Sequence, residues 1–225
     1  MSLVLDIVLS LVAALLAIVF HEYAHGYVAS RLGDPTARER GRLTLNPLAH
    51  IDPIGTVLLP LLLALFRLPV FGWAKPVPIN PSYFRNPFRG MLFVAIAGPI
   101  TNLSMALVAT GVGRLALTAV SPEFLLQKTF LSNLTHAAFF LLGYFVIVNV
   151  VLAVFNMIPI PPLDGSRVLA YLLPPSGRQF MLFLEQYGFL ILLALILLGG
   201  LTGVLDLASV IWVRLLGFGW GSLLG

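Results

Sequence analysis

Five consecutive residues near the N-terminus combine the side chains that a catalytic zinc site requires. His21, Glu22, Tyr23, Ala24 and His25 have the pattern H-E-x-x-H. On a helix, residues four positions apart project from one face, about 6 Å from each other, so both imidazoles can bind one metal ion. Glu22 lies close enough to accept a proton from a water that the metal activates. The motif therefore offers two metal ligands and a general base.

The position of this motif favours function over a chance match. It directly follows the apolar residues 3–20, among which Asp6 is the single charged side chain. An ionisable group at membrane depth costs ~2.5 kcal/mol or more and is a functional candidate by default. A chance pattern at a helix end, with His and Glu reaching towards lipid headgroups, is the weaker interpretation.

A catalytic zinc site also needs a third protein ligand and an open position. The chain has no cysteine, so this ligand must be a histidine or a carboxylate. Asp164 is the best candidate, because the prolines of residues 158–163 hold an extended conformation and Gly165 permits close backbone approach. The other carboxylates in apolar stretches are less suitable, since Asp6 lies at the far end of the first helix and Glu185 lies in the fourth.

Composition indicates the elements that position these residues. The 225 residues are 59% hydrophobic and 10% charged, against about 25% charged in a soluble domain. Four stretches reach or approach the ~20 residues that cross a bilayer: Leu3–Phe20, Met91–Val112, Ala137–Phe155 and Phe180–Leu198. The first lacks the basic region and cleavage site of a signal peptide, so we expect it to be retained.

We predict an all-α polytopic membrane protein with four to six transmembrane helices. Its single domain, residues 1–225, has a catalytic core at about 2–178 and C-terminal helices at 179–225.

The segments between the spans carry weaker signals. Residues Arg42 to Leu45 alternate polar and apolar side chains, which predicts a small β-hairpin. Pro53 to Phe66 is too short for a span and is interrupted by a proline, which predicts a re-entrant segment. The Pro-rich loop Arg67 to Arg89 should be an ordered, extended surface segment. The tail Val204 to Gly217 is either a final short span or an interfacial helix.

The basic residues predict the orientation in the membrane. Eight of the thirteen lie between the first and second spans: Arg31, Arg38, Arg40, Arg42, Arg67, Lys75, Arg85 and Arg89. That side should be cytoplasmic, together with the β-hairpin. If Pro53 to Phe66 is re-entrant, Asp164 emerges at the same membrane level as His25, whereas a full crossing would place it on the opposite face. The net charge of +4 is spread over these short loops and does not indicate nucleic-acid binding. We therefore expect a multi-pass cell-membrane protein with its active site towards the cytoplasm.

Two signatures taken together resemble those of the site-2 protease family. H-E-x-x-H in the first helix and F-N-x-x-P-x-P-P-L-D-G at residues 155–165 are similar to its paired motifs. Gly98, Pro99 and Asn102 resemble the G-P-x-x-N motif of the same family. Residues 41–53 resemble its compact prokaryotic branch, which has no PDZ or CBS domain. Members are multi-pass zinc metalloproteases that cut other membrane proteins within or near their spans.

The resemblance implies one Zn²⁺ per chain, held by His21, His25 and Asp164, with Glu22 as the catalytic glutamate. It places on Asn156 the asparagine that positions substrate or polarises the scissile carbonyl. Asn102 either supports the site in a similar way or forms an interhelical hydrogen bond. The implied activity is hydrolysis of peptide bonds in or near the transmembrane segments of membrane protein substrates, including membrane-tethered regulators.

Two functions from other classes fit the residues less well. A zinc-binding membrane protein without proteolysis, either a pseudoenzyme or a metal carrier, has no need for Glu22 beside the first histidine. A carrier would also repeat acidic or histidine ligands along several helices. A transporter would show internal symmetry and broken helices in both halves, and neither is apparent.

Overall fold

The computed structural model of the chain describes residues 3–66, 72–127, 129–199 and 202–216. Regular structure within these ranges is helical throughout. The α-helices are α1 (Leu3–Arg31), α2 (Thr36–Glu39), α3 (Leu59–Leu65), α4 (Pro87–Ala119), α5 (Pro122–Leu126), α6 (Phe130–Asn156), α7 (Asp164–Leu172), α8 (Arg178–Leu197) and α9 (Thr202–Leu216). The predicted all-α class is confirmed.

Within the part of the chain that the structure describes, four helices are long and apolar enough to cross a membrane. They are α1, α4, α6 and α8, with mean hydropathies between 1.9 and 2.6. This number lies within the predicted four to six spans, and the chain is a multi-pass membrane protein. At 15 residues, α9 is shorter than the ~20 residues of a typical span. Gly217, the last residue of the predicted tail segment, lies outside the described residues.

Two of the spanning helices begin earlier than predicted because of their capping residues. α6 begins at Phe130 rather than at Ala137, where its apolar stretch begins, since Thr129 and Ser132 form a reciprocal capping box. α4 begins at Pro87, because the Asn86 side chain accepts a hydrogen bond from the Arg89 backbone N–H at 3.1 Å. These caps lengthen both helices beyond their apolar stretches.

The centre of the molecule is the mutual packing of α1, α4 and α6. Small buried residues line these contacts: Ala13, Ala17, Ala106, Ala109 and Ala153. Small side chains let helix backbones approach closely, which is the main source of packing between helices in a bilayer. Two polar side chains, Asn102 and Asn149, are also fully buried here. The three helices therefore form a tight interface that contains polar groups.

The predicted β-hairpin at residues 42–45 is wrong, since the described residues contain no strand. The backbone N–H of Arg42 donates to Ala37 at 2.8 Å, which closes a turn after α2. The Arg42 guanidinium donates to the carbonyl of Lys75 at 2.6 Å. The Leu43 N–H donates to the same Ala37 carbonyl at 3.1 Å, so the backbone here closes a turn and does not pair as a strand, and Arg42 reaches the neighbouring segment through its side chain.

The predicted re-entrant segment at residues 53–66 is likewise not supported. Pro53–Leu58 is a π-helix that continues directly into α3. The Asp52 carboxylate caps this run by accepting from the backbone N–H groups of Ile54 and Gly55, at 3.0 and 2.7 Å. The result is one short apolar helix, and the described residues do not show it entering and leaving a bilayer on the same side.

Residues 72–80 (the strap) form neither helix nor strand, in agreement with the irregular structure predicted for the Pro-rich loop. The strap is not wholly a surface segment, because Val77 is buried and its N–H donates to Glu22 in the C-terminal half of α1. Residues 67–71 lie outside the described ranges. The Lys75 N–H donates to the carbonyl of His50 at 2.9 Å. The Asn80 N–H donates to the Asp34 carboxylate at 2.7 Å. Both ends of the strap are therefore anchored.

We expect Asp34→Ala to destabilise the protein by about 3 kcal/mol. Asp34 is 1% exposed and accepts hydrogen bonds from the N–H groups of Thr36 and Asn80, at 2.9 and 2.7 Å. Its loss leaves two N–H groups without their acceptor, at ~1–3 kcal/mol for each one that stays buried. Unfolding in detergent measures the change, with the exposed Glu39→Ala as a control that should stay within ~0.5 kcal/mol. Equal stability of the two variants would show that the anchor is unimportant.

Candidate active site

The H-E-x-x-H histidines face each other in the C-terminal half of α1. His21 and His25 are each 6% exposed, and their Nε2 atoms lie 3.0 Å apart. The rings meet edge to face, with centroids 4.6 Å apart and planes at 87°. Two imidazole nitrogens buried at this separation face one small volume, as the helical spacing predicts.

Asp164, the first residue of α7, completes a cluster of three donor atoms. Its Oδ2 lies 3.2 Å from Nε2 of His21 and 3.3 Å from Nε2 of His25. Ligand atoms of a tetrahedral zinc ion lie about 3.3 Å from one another. This oxygen is buried, and no hydrogen bond within the described residues satisfies it. A buried carboxylate oxygen without a hydrogen bond is costly unless a cation binds it.

The charge state of Asp164 also suits a metal ligand. Burial acts to raise the pKa of this carboxyl, but in the metal-free site the interaction with protonated His21 and His25 outweighs burial, so the pKa lies below its ordinary value. The carboxylate form, which binds metal, is therefore the favoured one.

The loop before α7 positions Asp164 through two glycines. A Cβ on Gly165 would lie 2.3 Å from the carbonyl oxygen of Met157, so the loop folds back onto the start of α7 only because residue 165 has no side chain. A Cβ on Gly188 in α8 would lie 2.5 Å from the carbonyl oxygen of Pro161. Close backbone contact on both sides thus holds the loop that ends at Asp164.

Gly98 in α4 bounds the same volume from a third direction. A Cβ on Gly98 would lie 2.5 Å from Cε1 of His21 and 2.6 Å from Nε2 of both His21 and His25. The space in front of these nitrogens is therefore open only because residue 98 is glycine. The donor set fits zinc, since it consists of two imidazole nitrogens and one carboxylate oxygen without a hydrogen bond. The space beside these atoms is small enough for a single methyl group to fill it.

The far side of each histidine ring is held by an acceptor on α4. Nδ1 of His21 lies 2.5 Å from Oδ1 of Asn102, and Nδ1 of His25 lies 2.7 Å from the carbonyl of Val94. An Nδ1–H donor to such an acceptor fixes the tautomer and leaves the Nε2 lone pair for a metal. Asn102 also donates to Asn149 of α6 at 2.7 Å. Asn102 therefore forms the interhelical hydrogen bond that was one of its two expected roles, and its side chain also contacts His21. Its role towards substrate stays a prediction.

Glu22 stands beside the cluster rather than at its centre. Ligand atoms of His21, Glu22 and His25 lie within 4.8 Å of one another and could also form a metal site. However, Oε2 of Glu22 accepts a hydrogen bond from the backbone N–H of Val77 at 2.8 Å. Asp164, within 3.3 Å of both histidine nitrogens, is better placed as the third ligand.

Asn156 lies at the end of α6 and is not brought into the cluster. Its amide donates to the carbonyl of Leu152 in its own helix at 3.0 Å. Among the described residues, no hydrogen bond joins it to the histidines or to Asp164. Its role in substrate binding stays a prediction.

Two residues of the site were not predicted from the sequence, Val94 and Val77. Each contributes a backbone group, the carbonyl of Val94 to His25 and the N–H of Val77 to Glu22. The two prolines that flank Val77 were the one available signal in the sequence.

We expect Gly98→Ala to abolish zinc binding, because the new methyl group would lie 2.6 Å from both Nε2 atoms and the histidine rings could not keep their present positions. Zinc per chain, measured by atomic absorption after purification, should fall from about one to near zero, while helix content is retained. The matched control is Gly111→Ala in the same helix, where an added Cβ meets nothing within 4 Å. Full zinc content in Gly98→Ala would place the metal elsewhere.

Known proteins share this sequence pattern over most of the chain. The model of peptidase family M50 matches residues 9–199. "Putative zinc metalloprotease YwhC" of Bacillus subtilis is 40% identical over 185 residues, which cover 82% of this chain and 78% of that protein. "Putative zinc metalloprotease Rip2" of Mycolicibacterium smegmatis is 30% identical over 183 residues, covering 81% and 64%. No solved structure matches the chain significantly.

The family match includes both signatures, since H-E-x-x-H at residues 21–25 and L-D-G at residues 163–165 lie within residues 9–199. A metal carrier or a transporter is not favoured by these matches. The chain therefore belongs to peptidase family M50, the site-2 proteases, and is a zinc-dependent metalloprotease of the membrane.

Proposed function

We propose that His21, His25 and Asp164 hold the zinc ion and that Glu22 is the general base for hydrolysis of a peptide bond. The observation that carries the assignment is the buried, unpartnered Oδ2 of Asp164, 3.2 and 3.3 Å from the two histidine nitrogens. When bound, zinc polarises the scissile carbonyl and lowers the pKa of the attacking water.

The two oxygens of Glu22 have different tasks in this mechanism. Oε2 is held by the Val77 N–H, and no hydrogen bond within the described residues engages Oε1. Oε1 takes a proton from the water as its oxygen attacks the carbonyl carbon. Glu22 then gives this proton to the amide nitrogen as the C–N bond breaks, so the products are a carboxylic acid and an amine. The carboxylate of Glu22 is thereby regenerated.

The two asparagines act at different distances from the reaction. Both ends of the Asn102 amide are engaged, by His21 and Asn149, so Asn102 orients the first histidine and does not contact substrate. Asn156 keeps the role of a substrate-binding residue that the resemblance implies. Its amide must then release the carbonyl of Leu152 to reach a bound peptide.

The active site lies towards the cytoplasmic side of the cell membrane in this proposal. The C-terminal half of α1 and the start of α4 contribute to the site, and exposed arginines cluster nearby in sequence: Arg38, Arg40, Arg85 and Arg89. Such residues mark the cytoplasmic face. His25 precedes the last residue of α1 by six positions, about 9 Å along a helix. A peptide bond reaching this depth comes from within or near a transmembrane segment, so the substrates are membrane proteins, including membrane-tethered regulators.

Glu22→Gln should separate the metal ligands from the base. We expect this variant to retain about one zinc per chain and to lose cleavage by ~10²-fold or more, the usual contribution of a general base. His25→Ala and Asp164→Ala should instead lose zinc. Zinc content and cleavage of reconstituted single-span membrane proteins in liposomes are measured together, with Glu39→Gln as the control for loss of an exposed carboxylate.

Two results would overturn these assignments. Cleavage that persists in Glu22→Gln would show that another group takes the proton. Full zinc affinity in Asp164→Ala would show that the third ligand is a different residue.

A further inference from the structure

The strap brings a single backbone donor to Glu22. Residues 76–78 are Pro76, Val77 and Pro78, and proline has no N–H, so Val77 alone can donate from these three positions. Its N–H lies 2.8 Å from Oε2 of Glu22. Hydrogen bonds to a carboxylate are roughly twice as strong as those between neutral groups.

Covalent geometry and packing fix the direction of this N–H. A residue before proline is restricted to extended conformations, which applies to Val77 before Pro78. The Val77 side chain is 6% exposed, and its Cγ1 lies 3.0 Å from where a Cβ on Gly26 would be. The Arg42 guanidinium binds the strap just before this point, donating to the carbonyls of Lys75 and Pro76 at 2.6 and 3.3 Å. The donor is thus held against α1 from several sides.

We propose that the backbone N–H of Val77 is a positioning group for catalysis: it holds one oxygen of Glu22 so that the other faces the attacking water. The inference rests on the proposed role of Glu22 as the base. A glutamate side chain has three rotatable bonds, and a base displaced by about 1 Å can cost ~10²-fold in rate. Within the strap, it is therefore the backbone of Val77 that contributes to catalysis, through its hydrogen bond to Glu22.

The same segment offers a matched control, because a purely structural role is the competing explanation. The Asn80 N–H donates to the Asp34 carboxylate at 2.7 Å, three residues along the strap from Val77. Both hydrogen bonds join a strap N–H to a carboxylate on another segment. Only the bond from Val77 reaches a carboxylate of the active site.

The test replaces one backbone amide by an ester, using the α-hydroxy analogue of the residue, which deletes the N–H and keeps the side chain. With an ester at Val77, we expect kcat to fall ~10-fold or more while KM and zinc content stay unchanged. With an ester at Asn80, we expect a similar loss of thermal stability and a kcat within about twofold of the wild type, because no active-site group moves.

A second readout needs neither zinc nor activity. The infrared carboxylate band of Glu22, assigned by its absence from the difference spectrum of Glu22→Gln, should shift in the zinc-free Val77 ester. It should not shift in the Asn80 ester. An unshifted band in the Val77 ester would overturn the proposed contact.

Two ordinary substitutions, used alone and together, test the same contact if the Val77 ester does not fold. Gly26→Ala forces the Val77 side chain away by a few tenths of an ångström and should lower kcat. Adding Val77→Ala keeps the N–H, removes Cγ1 and should restore kcat. A loss in Gly26→Ala that Val77→Ala does not relieve would count against the strap as the positioning element.

The outcomes also separate this inference from the function on which it rests. If the wild type cleaves, Glu22→Gln does not, and the Val77 ester retains full kcat, the inference is wrong and the base assignment stands. If zinc-loaded wild type cleaves no membrane protein, the proposed function fails, whatever the infrared band shows.

Discussion

The close approach of α1 and α4 at Gly98 is the constraint on which the site depends. The histidine rings of α1 occupy the space where a side chain at residue 98 would lie, since a Cβ there would be only 2.5 to 2.6 Å from their atoms. This contact brings the backbone of Val94 and the side chain of Asn102 within reach of the two Nδ1 atoms. Small residues along the same helices make such proximity possible in an apolar bundle. The packing of α1 against α4 therefore also sets the positions of the two histidines.

A chain of hydrogen-bonded polar groups runs across the bundle to His21, and each side chain in it has a partner. Nδ1 of His21 is hydrogen-bonded to Oδ1 of Asn102, and the Asn102 amide donates to Asn149. The Asn149 amide in turn donates to the carbonyl of Phe145 at 2.7 Å. Buried polar networks in a low dielectric stabilise when satisfied and are costly when partly satisfied. Within this cluster the unsatisfied atom is Oδ2 of Asp164. The network thus holds one histidine rigidly and leaves one acceptor for a cation.

Hydropathy and motif spacing predict the parts that depend on side-chain type. The four spans follow from apolar length, and the meeting of His21, His25 and Asp164 follows from the two signatures. The predicted hairpin at residues 42–45 is wrong because a four-residue alternation of polar and apolar side chains also fits a turn, and here the backbone N–H groups of Arg42 and Leu43 donate to Ala37. The contributions of Val94 and Val77 were missed because they are backbone groups, which leave little trace in residue type. The start of α6 depended on the capping pair Thr129 and Ser132, outside the apolar stretch.

In the proposed site, zinc binds to His21, His25 and Asp164, and Glu22 lies outside the coordination sphere. X-ray absorption at the zinc edge tests this assignment most directly in the wild type, in Glu22→Gln, and in Asp164→Ala loaded with excess zinc. We expect two imidazole nitrogens and a carboxylate oxygen at about 2.0–2.2 Å, unchanged in Glu22→Gln, with the carboxylate oxygen lost in Asp164→Ala. Loss of the carboxylate oxygen in Glu22→Gln, with the Asp164→Ala spectrum unchanged, would contradict it.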